Sequence, residues 1–547
     1  MKKTLTLLLI FICVHMAYAQ STLTETDKLA ATTKIWGFLK YYHPQVAAGK
    51  YDWDEELFRI LPKVKTASTQ EELSQVYLDW LDNLGKVKAC KKCDQITNKE
   101  YFEENFNLAW IENNDTFTDE LSERLKYIEL NRHQGKKYYV SKIKGICNIE
   151  VLNEKNYEDC DWNDENLRLI TLFRYWNIVE YFYPYKYQTD TDWDDVLTNM
   201  IPKFLNPPSE HDYNLAMLEL VVSLDDSHAW YYNEKTESIF GEYWIPAHFK
   251  LIDEKAVITD YYNDSLSKAA DIRIGDVITK VNDQEVEAIF NQKEKYISGS
   301  NIPRKKHNAF SAIFNGSSDS VKIEYIRNNQ TDTKTIKRYL LADLAIEKKE
   351  PEIFEILEDN IGYINMGEIG NKDVEETMEA LKDTKAIIFD IRNYPKGTLY
   401  SFAKYISSSS NVFFNVTAAD LDYPGKFIWR TGRKTLPSDG LKYKGKVILL
   451  ANEQAQSHAE FTIMCLQTGD KVTTIGSQTS GADGNVSYLT IPNGYKTGIT
   501  GIGIFYPDNT ETQRKGVKID IEVNPTIQGI IEGKDEVLER AIEFINN

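Results

Sequence analysis

Residues 36–84 recur, 140 positions further on, as residues 176–224. Trp36, Tyr41, Pro44, Asp52, Trp53, Asp54, Leu57, Pro62, Lys63, Leu78 and Leu84 return as Trp176, Tyr181, Pro184, Asp192, Trp193, Asp194, Leu197, Pro202, Lys203, Leu218 and Leu224. Each copy spaces its aromatic and aliphatic residues as a helix does and breaks the pattern at proline, so each is expected to be a small helical unit with the aromatics in its core. The copies part company at their ends. The second runs Leu224-Asp-Asp-Ser-His228, where the first has Leu84-Gly-Lys-Val-Lys88. Ser227 and His228 therefore stand opposite Val87 and Lys88. A pair that a sister unit packs without is available for some other task.

A chain of 547 residues has room for several domains. Lys2 and Lys3, the apolar run Leu5–Val14 and Ala17-Tyr-Ala19 read as an export signal, too short in its apolar part to remain as an anchor. No later run is long enough for a membrane helix, so no stable membrane span is expected. Removing residues 1–19 takes away two lysines and no acid, which moves the formal net charge from −19 to about −21. Such a surface repels nucleic acid. The mature chain is expected in the periplasm or outside the cell. Of its cysteines, Cys90, Cys93, Cys147 and Cys160 suit disulfides in an oxidising compartment, with reduced thiols or a zinc site as alternatives. Cys465 falls in an apolar helical pattern and reads as a core thiol.

From about residue 242 the pattern shifts to short β-like runs. Gly275-Asp276 precedes an apolar strand, and a second tight turn follows at Asn282-Asp283. This resembles the strand-turn signature of a PDZ domain, a fold that takes extended peptides onto a sheet edge. After Glu350 strands and helices alternate. Ala386–Ile391 and Lys446–Ala451 are apolar enough to be buried strands, and Glu460–Thr468 reads as a helix. Ser457 falls at the junction of the second strand and that helix. There it could be a helix cap, or a nucleophile facing unpaired backbone N–H groups.

Gln456-Ser-His-Ala-Glu460, Gly476-Ser-Gln-Thr-Ser-Gly-Ala-Asp-Gly484, Asp390-Ile-Arg-Asn-Tyr-Pro-Lys-Gly397 and Thr512-Gln-Arg-Lys-Gly-Val-Lys-Ile-Asp520 together resemble the C-terminal processing (tail-specific) serine peptidases. The likeness extends over nearly everything after Glu165. Bacterial members place a lysine base about 25 residues after the nucleophile, where this chain has Ala482. In that respect it resembles the tricorn-type branch, which draws a Ser-His pair from an earlier domain.

The resemblance implies Ser457 as nucleophile, His228 as base, and Ser227 to orient the ring or relay it to a carboxylate. It takes the acidic partner from the C-terminal segment: Glu511, with Asp508 and Asp520 as alternatives. The N–H groups of His458 and of the Lys396-Gly397 turn would receive the oxyanion. Asn393, Asp483 and Gly484 are the candidate substrate contacts, while Arg392 reads as a structural ion-pair partner. His458 is a poor base for Ser457, because adjacent helical residues point about 100° apart. This chemistry acts on polypeptide or peptide substrates and needs no cofactor and no metal.

The expected fold is multidomain α+β: N-terminal helical repeats, a PDZ-like small β domain and a C-terminal α/β (ClpP/crotonase-like) peptidase core. The expected boundaries are 1–19 signal, 20–90 first helical repeat, 91–165 cysteine-containing insert, 166–241 second repeat, 242–341 PDZ-like and 342–547 peptidase. The competing reading is a catalytically inactive peptide-binding or surface scaffold protein.

Overall fold

The structure is a computed structural model that describes residues 23–93, 99–158, 161–344, 346 and 351–547. The leader at 1–19 and Cys160 lie outside the described residues. Internal contacts divide the chain into two units. One comprises residues 23–93 with 107–139; the other comprises 99–106 with everything from 140 onward. The segment expected as a single insert, 91–165, is thus shared between them.

In the first unit, helices α1 (Glu25–Tyr42), α2 (Trp53–Thr66) and α3 (Gln70–Asn83) start at Thr24, Asp52 and Thr69, whose side chains accept from N–H groups of the first turn. Nearly all of α1 from Lys28 onward is buried, so it serves as the core helix. Trp36 and Trp53 are locked reciprocally: each indole N–H donates to the other's carbonyl, at 3.1 and 3.0 Å. Cys90 and Cys93 are disulfide-bonded.

The second unit contains the helices α4 (Glu165–Phe182), α5 (Trp193–Leu205) and α6 (Glu210–Val222). The reciprocal lock recurs between Trp176 and Trp193, at 2.8 and 3.1 Å. From α6 the chain turns through residues 225–228 into the short strand β1 (Tyr231–Tyr232).

An antiparallel sheet follows, in the order β6 (Gln330–Lys337), β5 (Ser320–Arg327), β4 (Val277–Val281), β3 (Lys255–Tyr261), β2 (Ala247–Ile252). Helix α7 (Ile302–Asn308) lies beside β2. Asn282 and Asp283 both have positive φ, 49° and 65°, in a two-residue hairpin.

The last third is built on a mixed sheet of β7 (Phe354–Leu357), β8 (Ile361–Asn365), β9 (Ala386–Asp390), β10 (Lys446–Ala451), β11 (Val472–Gly476) and, at its far edge, β14 (Ile521–Glu522). All neighbours are parallel except β7 with β8. Alternate residues of β9 and β10 enter different cores. Ile387, Phe389, Val447 and Leu449 pack with α8 (Val374–Ala380), α9 (Leu399–Ile406) and α10 (His458–Leu466). Ile388, Ile448 and Leu450 pack on α11 (Glu536–Asn546). Burial on both faces is why these strands read as unbroken apolar runs. A separate sheet pairs β12 (Val486–Thr490) with β13 (Lys496–Thr500), and β13 with β1.

Gly476 ends β11 at φ +145°, where a Cβ would lie 1.9 Å from the Ala451 carbonyl at the end of β10. That is far inside contact distance, and the colliding atom is backbone. Gly476→Ala is therefore expected to lower stability by at least about 2 kcal/mol in chemical denaturation. An unchanged midpoint would show that the two strand ends are not held this close.

Candidate active site

Ser457 immediately precedes α10 with φ 56° and ψ −115°, a conformation that side chains avoid. Two hydrogen bonds from its N–H hold it there, to the Ala482 carbonyl at 2.9 Å and to Glu460 Oε2 at 3.2 Å. Glu460, one turn into the helix, is fully buried. Its carboxylate also accepts from Thr479 Oγ1 (2.6 Å), Gly481 N (2.8 Å) and Ala482 N (3.0 Å). Burial raises its pKa, and these four donors oppose the rise. One carboxylate thus ties the serine to the loop that follows β11. Ala482, at the position where the resemblance would put a lysine, is buried in that knot.

The Ser-His pair arrives from the end of α6. His228 is 6% exposed, and its Nδ1 lies 2.8 Å from Thr500 Oγ1 at the end of β13. The Thr500 hydroxyl donates to Asp226 Oδ1 (2.9 Å) and its N–H to Asp226 Oδ2 (2.8 Å). The His228 N–H closes the loop onto Asp226 Oδ1 at 3.0 Å. A hydroxyl has one proton, here directed at the carboxylate, so its oxygen accepts from Nδ1–H of the ring. That tautomer leaves the Nε2 lone pair uncommitted, and Nε2 is buried with no partner among the described residues. Burial pushes the imidazole below the ordinary histidine value, Asp226 opposes the shift, and Arg304 adds to it.

Ser227 does not bond the ring. Its Oγ meets Ser300 Oγ (3.0 Å) and Ser480 Oγ (2.9 Å), and its carbonyl accepts from Gln456 Nε2 at 3.2 Å. The residues preceding Ser457 and His228 therefore touch, which brings the two segments together. Ser457 and His228 themselves share no hydrogen bond. Catalytic contacts are commonly long before substrate binds.

The backbone N–H groups of His458, Lys396 and Gly397 donate to no acceptor among the described residues. The Lys396 ammonium pairs with Glu368 at 2.9 Å. The His458 ring lies against Tyr394, centroids 6.0 Å apart. Asn393 braces the β8 end through Asn365 at 2.7 Å. Arg392 is held by Asp390 and Asp535. Asp483 is buried: its Oδ1 accepts from Gly484 N at 2.7 Å and its Oδ2 has no partner among the described residues. Burial, with Glu460 nearby, pushes its pKa well above the carboxylate range. A residue so enclosed offers a substrate no surface, and Gly484 is buried beside it.

Glu511 bonds Tyr187 Oη (2.8 Å) and Lys515 (2.7 Å) and shares no hydrogen bond or ion pair with His228. Asp508 pairs with Lys518, and Asp520 accepts from Thr474 N. The carboxylate beside His228 is Asp226. The C-terminal segment contributes Gln513 instead, whose Nε2 lies 3.5 Å from Asp226 Oδ1. A sequence signal for Asp226 existed, because its counterpart in the first repeat is Lys86. Thr500 sits in a strand with no motif around it.

No curated protein sequence matches the chain. Among solved structures, mature CPAF is similar at 14% identity over 70% of this chain and 98% of that one, with TM-score 0.56. Mature CPAF complexed with lactacystin gives 14%, 70%, 99% and 0.55. The photosystem II D1 C-terminal processing protease gives 14%, 68%, 98% and 0.40. At such identities the CPAF likeness is one of fold. Residues 360–523, which carry β8 to β14 and Ser457, match peptidase family S41, and this segment is a serine-type peptidase domain similar to that family.

Proposed function

We propose that this peptidase hydrolyses polypeptides through an acyl-enzyme on Ser457, with His228 as general base. The observation that carries the assignment is the Asp226–Thr500–His228 chain, which leaves Nε2 free on a segment bonded to the residue before Ser457. A serine hydroxyl is a weak nucleophile near neutral pH, and a neutral imidazole can take its proton as Oγ attacks the scissile carbonyl. The resulting oxyanion is received by the free N–H groups of His458 and the Lys396-Gly397 turn. His228 then passes the proton from Nε2 to the departing amine. Water, deprotonated in its turn by His228, releases the acyl group and restores Ser457. Asp226, acting through the Thr500 hydroxyl, stabilises the imidazolium formed in each half-reaction.

Two finer readings accompany this one. The antiparallel module at 242–341, with its Gly275-Asp276 turn, is read as PDZ-like and as holding substrate near the site. Residues 1–19, with the Cys90–Cys93 disulfide, favour action outside the cytoplasm.

A fluorophosphonate probe is expected to label Ser457, and Ser457→Ala to abolish both labelling and peptide hydrolysis, a loss of 10³-fold or more, by order of magnitude. Labelling that survives in Ser457→Ala rules out the nucleophile. The imidazole must be neutral to act, and burial lowers its pKa. The acid limb of kcat/KM is therefore expected below the ordinary histidine value of about 6.5, with activity lost as pH falls through it. A limb at or above that value, or near-wild-type turnover in His228→Ala, excludes this base. Asp226→Asn is expected to lower kcat by about 10²–10⁴-fold, whereas Glu511→Gln lowers it by less than about 10-fold. Equal losses would make Glu511 the acidic partner.

A further inference from the structure

The two repeats end alike in sequence but are covered differently. At the end of the second, Asp225 meets Lys305 Nζ at 3.3 Å and Arg514 Nη1 at 3.9 Å. Gln513 reaches the same place, where its Nε2 donates to Tyr183 Oη at 3.3 Å. An acidic repeat end is thus docked by a polypeptide loop that brings an amide and a guanidinium. Moved back by 140 positions, Tyr183, Asp225 and Asp226 become His43, Gly85 and Lys86. These residues line a cavity of about 580 Å³ in the first unit, a volume typical of ligand sites. His43, Leu81 and Ile128 are buried at its floor. Gly85, Lys86 and Arg124 are exposed, so it opens to solvent. Its walls are the loop after α3 and the helix Asp119–Leu130. Arg124 with Asp82, at 2.7 Å, and Tyr127 Oη with the Val87 carbonyl, at 3.5 Å, join the two walls.

The charge here is the reverse of that in the sister copy. Arg124 neutralises Asp82, and burial lowers the His43 pKa to about 4, so its ring is uncharged near neutral pH. Lys86 meets no acid among the described residues. His43 Nδ1 is buried with no partner among the described residues, whereas the tyrosine hydroxyl at the matching position takes a hydrogen bond from the docked loop.

We infer that the cavity bounded by His43, Leu81, Lys86 and Ile128 is a docking site for an acidic segment of a separate polypeptide. The sister repeat shows the kind of occupant, a polypeptide loop, and the reversed charge sets its sign. Acids at 225 receive cations there; Lys86 receives a carboxylate here. One carboxylate on an exposed lysine binds weakly, so an apolar side chain next to it, set over Leu81 and Ile128, supplies the remaining affinity. The site lies in the unit that does not contain Ser457, and the inference is independent of the mechanism proposed above.

The test uses the full chain carrying Ser457→Ala, so that bound peptide is not cut. Two pools of fluorescein-labelled octapeptides are compared by anisotropy. One has Asp or Glu at its central positions and the other Lys, and both are flanked by Leu, Phe and Ala. The acidic pool is expected to bind at least about 10-fold more tightly than the basic one, with affinity falling as salt rises. Lys86→Glu should erase that difference. Val87→Trp, which fills the cavity, should weaken binding of the acidic pool by at least about 10-fold. Both variants should keep the wild-type Tm and, with Ser457 restored, the wild-type hydrolysis of a neutral peptide. Equal binding of the two pools, or a preference that survives Lys86→Glu, overturns the site. The surface position of Lys86 keeps the test decisive even if Val87→Trp fails to fold. Displacement of the acidic pool by an equal concentration of succinate would overturn a polypeptide as the occupant. A wild-type dimer that Lys86→Glu dissociates would make the occupant a second copy of this chain instead.

Discussion

The buried carboxylate of Glu460 is the contact on which the geometry at Ser457 depends. A serine at φ 56° does not hold that conformation unaided. Glu460 accepts from the N–H of Ser457 and from three donors on the loop after β11, and so joins the start of α10 to residues 479–482. Burying a carboxylate is unfavourable unless its oxygens are fully hydrogen-bonded. Four converging donors meet that condition only in one loop conformation. The requirement works both ways: the loop must close to satisfy Glu460, and closing it seats Ser457. Gly476 allows the loop to leave β11 at this angle, since any side chain would strike the Ala451 carbonyl.

His228, the proposed base, comes from far away in sequence, and a second seam holds it. Ser227 bonds Ser300 and Ser480, and its carbonyl accepts from Gln456. Asn301 donates to the Thr479 and Ser480 carbonyls, and Arg304 to that of Glu453. Small hydroxyls and backbone groups make up this junction, so its geometry is set by short, directional bonds. Ser227 is thereby a joint between segments, and the hydrogen bond that orients the imidazole is made by Thr500. Any shift of the segment 300–304 would be felt at both Ser227 and the Ser457 turn.

Several features were legible in the sequence because they arise locally. Apolar runs at Ala386–Ile391 and Lys446–Ala451 become strands buried on both faces. The duplicated tryptophans become two identical reciprocal locks. The divergence at the repeat ends picked out Ser227 and His228 for attention. That comparison extended to Asp226, opposite Lys86, but attention to the C-terminal segment drew the acidic role to Glu511. The segment does reach the site, through Gln513, two residues further on. Asp483, a candidate substrate contact from the sequence, is enclosed by the fold, because the loop that serves Glu460 turns inward there.

The amino-acid order alone determined which segments become helices and strands, that a serine stands at a strand-to-helix junction, and that one repeat end carries a serine and a histidine its sister lacks. Periodicity, turn chemistry and internal comparison act within a few tens of residues and can be read directly. Only the tertiary structure decided which carboxylate faces the histidine and that Thr500 lies between them. These depend on hydrogen bonds and strand registers between residues more than 250 positions apart, such as Asp226 with Thr500. Directional contacts of a few ångströms are specified by how the layers pack, and no local pattern records them.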